Sequence, residues 1–103
     1  MASVQGRKSI RAQVKLLLLD SRQGDALAAM QSLAKIVENL DKAYIDHILP
    51  SPVSKAVFRL ISRHGLAKIQ NVLISLKTPP HVFKLISKYF EYAEVFKVQG
   101  YDW

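Results

Sequence analysis

From Ile10 to Phe96 the apolar residues recur three and four positions apart, and strand-like alternation never lasts beyond a few residues. That period is one face of a helix, so the chain is expected to be all-α. At 103 residues it has room for one hydrophobic core and not two. Half of its residues are hydrophobic and 22% are charged, enough apolar surface to outweigh the entropy of ordering. The expected architecture is a single compact bundle or short helical stack of five or six antiparallel helices. A repeat array is the near alternative, but no residue signature recurs at a period of about 40.

Punctuation places the helices. Ser9 can cap a first helix through about Arg22, with Ile10, Val14, Leu17 and Leu18 facing inward. Gly24-Asp25 breaks the chain and restarts it as a second helix with Leu27, Met30, Leu33, Val37 and Leu40 on one stripe. Its Ala26, Ala28 and Ala29 would let a neighbour approach closely. Tyr44, Ile45, Ile48 and Leu49 form a short third helix that Pro50 stops, because proline lacks the N–H and disfavours helix in the residue before it. Ser51-Pro52 reads as cap and first helical residue of a fourth, with Val53, Val57, Leu60 and Ile61 inward as far as His64-Gly65. Leu66, Ile69, Leu73 and Leu76 mark a fifth. Thr78-Pro79 repeats the cap-and-proline start for the last and longest, which turns Val82, Leu85, Ile86, Tyr89, Phe90, Ala93 and Phe96 toward the core. The domain reading is a basic N-terminal tail over 1–8, a helical domain over 9–97 and an aromatic tail over 98–103.

Reactive chemistry is hard to find. There is no cysteine, hence no disulfide framework, thiolate nucleophile or cysteine zinc site, and a reducing compartment suits the chain. His47, His64 and His81 lie far apart, and none shares a helix face with a carboxylate at metal-ligand spacing. His47 and His64 read instead as helix-end residues, where the negative end of the dipole favours imidazolium. No Gly-rich phosphate loop, nucleophile elbow or buried carboxylate pair is present, and Glu91 and Glu94 read as solvated. No enzyme activity, cofactor or metal is therefore expected. The densest apolar run, Leu16 to Leu19, is closed by Lys15 and Asp20, far short of a membrane span. Asp20 and Arg22 stand where a signal peptide would need small residues, so secretion is not expected.

Charge and aromatic placement leave two binding surfaces. Fifteen Lys and Arg oppose eight Asp and Glu, a formal charge of +7, which biases partners toward acidic surfaces and phosphates. Arg7, Lys8, Arg11, Lys15 and Arg22 gather at the first helix, several at four-residue steps along one side. Such a stripe suits a nucleic-acid backbone, an anionic lipid surface or an acidic protein, and a solvated face explains it equally well. Phe83, Tyr89, Phe90, Tyr92, Phe96, Tyr101 and Trp103 are too many for one face of the last helix, so some must point away from its core. Those are candidates for a partner interface or for self-association, the alternative being a tail that folds back to cap the core.

Across about Arg11 to Thr78 the order of these pieces resembles the helical domain of the smallest subunit of the actin-related protein 2/3 complex. The likeness is carried by Val14-Lys15-Leu16-Leu17, by Met30-Gln31-Ser32-Leu33, and by Leu40, Lys42, Tyr44 and Ile45. Ser51-Pro52, Gly65-Leu66, Ile69, Val72-Leu73 and Lys77-Thr78 continue it in the same order. Departures are Ala43 inside the family's Lys-Tyr-Ile run, no Trp near Leu60, and the extension from Pro79 to Trp103. The family's acidic N-terminal tail is also not matched, so the role of that tail is not carried over. The resemblance implies a non-catalytic helical subunit of a cytoplasmic assembly, docked against another subunit's helix and a β-propeller. On this reading the partner interface comprises Leu66, Ile69, Leu73 and Lys77 with Tyr89, Tyr92, Tyr101 and Trp103. The competing reading is a basic helical protein that grips RNA or DNA backbone through Arg7, Lys8, Arg11, Lys15 and Arg22.

Overall fold

The computed structural model describes residues 9–40 and 49–98, with side chains as far as residue 95. These residues form α1 (Ile10–Arg22), α2 (Ala26–Glu38), α3 (Ser51–His64), α4 (Leu66–Leu76) and α5 (Pro80–Val98), with no strand among them. The molecule is a small all-α bundle. The expected short helix at Tyr44, Ile45 and Ile48 lies outside the described residues, as do Arg7, Lys8, His47, Tyr101, Trp103 and the Phe96 side chain.

Two helix starts use side chains to satisfy N–H groups that no helical carbonyl can reach. The Ala12 N–H donates to Ser9 Oγ at 3.1 Å, and the Ala28 N–H donates to Asp25 Oδ1 at 3.0 Å. The two proline starts each differ from expectation by one residue. Before α3 it is the Pro50 carbonyl that accepts the Ser54 N–H at 3.0 Å, so Ser51 is the first helical residue and its hydroxyl caps nothing. Pro52 has no N–H to lose, so the second helical position suits it as well as the first. Before α5 the Pro79 carbonyl accepts the Phe83 N–H at 3.0 Å. Pro80 bars Pro79 from helical geometry, which moves the cap off Thr78, whose Oγ1 is buried without a hydrogen-bond partner. Gly65 joins α3 to α4 with φ +94°, a backbone state that side chains other than glycine's resist.

Packing follows the stripes, with informative exceptions. α2 and α3 each pack against all four other helices and form the centre of the bundle. Met30, Leu33, Ile36 and Val37 from α2 and Val53, Val57, Leu60 and Ile61 from α3 are all buried in one core. Ala26 and Ala29 are buried too, while Leu27, placed inward by its spacing, is 47% exposed. The alanines occupy the close contact and leave Leu27 on the margin. Of the run Leu16 to Leu19 only Leu17 is buried, because four consecutive residues sweep right round a helix. Tyr89 ties α5 to the start of α3: the Leu49 N–H donates to its Oη at 2.9 Å, and its ring packs against Phe58 and edge-on against Tyr92.

Candidate anion-binding groove

α1 and α3 lie side by side and run in the same direction. Their early residues meet at one end, Arg11 and Val14 opposite Ser51, Lys55 and Ala56. Their late residues meet at the other, Ser21 and Arg22 opposite Ser62 and Arg63. Between them run two open depressions of about 300 and 340 Å³ that share Leu18 and Arg59 in their walls and so form one groove. Its rims carry five cations: Arg11 and Arg22 from α1, and Lys55, Arg59 and Arg63 from α3. Among the described residues no Asp or Glu lines it.

The geometry follows from helix periodicity. Lys55, Arg59 and Arg63 are four residues apart, so they form a row along α3 that rises by ~6 Å per step. The inward residues Ala56 and Leu60 hold that row at the edge of the core, with the three cationic residues themselves exposed. Ser51, released from capping, and Ser62 add hydroxyls to the same walls. At the late end the Ser21 hydroxyl and His64 Nε2 share a hydrogen bond of 2.8 Å, which ties the last turn of α1 to that of α3. Ser21 is buried and His64 partly buried, and the pair tethers the two helix ends.

The electrostatic setting of His64 corrects its sequence reading. It does end α3, but its pKa is lowered from the usual value, first by burial and then by the charges of Lys68 and Arg63. Desolvation and the two like charges disfavour the imidazolium at this position. His81 is exposed in the first turn of α5. Among the described residues no group of three or more His, Asp or Glu is placed to hold a metal ion, and no helix is long and apolar enough to cross a membrane.

The expected surfaces are redistributed. Arg11 and Arg22 reach the groove, whereas Lys15 is exposed outside its walls. The α3 row was not singled out from sequence, although the four-residue spacing that marks α1 marks it equally. The expected partner interface is cut down. Ile69, Leu73 and Tyr89 are buried in the chain's own core, because α4 and α5 turn these residues onto α2 and α3. Leu66 is half-buried, Lys77 is exposed in a left-handed turn, and Tyr92 is 43% exposed. Tyr92, with Phe83, gives the aromatics that the count required to point outward. Comparison with family models, curated proteins and solved structures finds no match for this chain.

Proposed function

We propose that this chain is a non-catalytic helical interaction module that takes a polyanionic macromolecule in the groove between α1 and α3. The observation that carries the reading is five cations on the two walls of one groove, with no carboxylate among its described lining residues. Mutual repulsion among those cations is relieved by a negative partner, and a groove concentrates their field more than a convex face does. The formal charge of +7 adds long-range attraction but does not select a site.

Location and net charge are separated by two reversals that change the total equally. Arg59→Glu should weaken binding to a polyphosphate by about tenfold or more at low salt, since Arg59 stands in both depressions. Lys84→Glu, on the exposed side of α5, should change it by less than about threefold. Equal losses for the two variants would reject the groove. The subunit reading implied by the resemblance to the actin-related protein 2/3 complex keeps, among the described residues, the half-buried Leu66 and the exposed Lys77 and Tyr92, and calls for a protein partner at α4 and α5.

A further inference from the structure

The groove's charges are arranged as a line, which says something about the shape of what fits. A single small anion would be held by two or three donors converging on a point, usually in a bidentate fork. Here Lys55, Arg59 and Arg63 repeat along α3 at steps of ~6 Å, with Arg11 and Arg22 near the two ends of the opposite wall. A repeated cation calls for a repeated anion, and a phosphodiester chain carries one charge per nucleotide. Arg, Lys and Ser are also the side chains that contact phosphate oxygens in backbone recognition.

The walls further discriminate between polyanions. No aromatic residue lines either depression among the described residues; the exposed Phe83 and Tyr92 belong to α5. Single strands are held by stacking their bases on aromatic side chains, which this groove lacks. A ligand seated here must keep its bases stacked on one another, as a duplex does. An acidic protein segment fits less well, because stable protein contacts centre on buried apolar or aromatic anchors. Leu18, Val14, Ala56 and Pro52 are the apolar wall residues, and Val14 and Ala56 are already buried in the chain's own core.

We infer that the groove between α1 and α3 seats one phosphate strand of a nucleic-acid duplex, bound through its backbone without regard to sequence. This rests on the polyanion reading and narrows it. With no donor or acceptor set aimed at base edges, affinity comes from counterion release and falls steeply with salt.

The test is fluorescence anisotropy of the whole chain with a mixed-sequence duplex, a duplex of unrelated sequence, one of the separated strands, and a poly-glutamate peptide. The expected result is equal affinity for both duplexes, at least about fivefold above the single strand and the peptide. The log–log salt slope for duplex should be about −4 if most of the five cations each neutralise a phosphate. Arg59→Gln and Lys55→Gln should each make that slope shallower by about one, with helical circular dichroism and melting temperature unchanged. A single strand or peptide bound as tightly as duplex, or a tenfold preference between duplexes, overturns the inference while leaving a polyanion site in place. No Arg59-dependent binding to any of the four overturns both.

Discussion

His64 stands where the helix dipole favours charge, yet its surroundings disfavour the imidazolium. The last turn of α3 would stabilise imidazolium, but burial comes first and Arg63 and Lys68 add repulsion, so its folded pKa lies below the unfolded value of 6.5. The sign of the consequence follows from proton counting. Between the folded pKa and 6.5 the unfolded chain binds the proton more readily, so this contribution to stability is complete above pH 6.5 and is lost as pH falls through that window. Urea unfolding from about pH 7.5 down to about pH 5 should therefore show the midpoint falling, and His64→Gln should flatten that part of the profile. A midpoint that rises on acidification in the wild-type chain but not in His64→Gln would contradict the assignment. Sequence could place this histidine at a helix end, but not the burial or the Lys68 charge beyond the Gly65 turn, which depend on how α3 and α4 meet.

Among the elements, α5 is fixed to the bundle by a polar contact as well as by its apolar stripe. Tyr89 accepts a buried hydrogen bond from a backbone N–H of the segment before α3. Tyr89→Phe keeps the ring packing and removes the acceptor, so it should cost about 1–3 kcal/mol, read from chemical denaturation. An unchanged midpoint would mean that the Leu49 N–H finds another partner. The stripe on α3 was legible because its apolar residues Val53, Val57, Leu60 and Ile61 recur three and four apart. The start of α2 was less so. Ala26, Leu27, Ala28 and Ala29 are all apolar, and nothing local says that the small residues take the contact while Leu27 stays half exposed. The proline starts slipped by one residue for a local reason: Pro79-Pro80 already excludes Thr78 as the cap, since the first proline is itself barred from the helix. Two of the five groove cations, Arg11 and Arg22, could be anticipated from sequence, and the α3 row shows a regular four-residue spacing. That the two rows face one another is a property of the packing between α1 and α3.

At the scale of the whole molecule, cations from two helices separated by the whole of α2 in sequence line one groove. The groove exists because α1 and α3 run in parallel, so their early and late turns are paired end to end. Its working state is set by charge and shape, with the Ser21–His64 hydrogen bond holding the late end together. The most direct measurement is a map of backbone amide chemical shifts across the uniformly labelled chain during titration with duplex at moderate salt. Shifts should gather on α1 from Arg11 to Arg22 and on α3 from Ser51 to Arg63, with Lys84, Lys88 and the rest of α5 hardly moving. Perturbations spread over lysines and arginines in every helix, or centred on α5, would contradict the account.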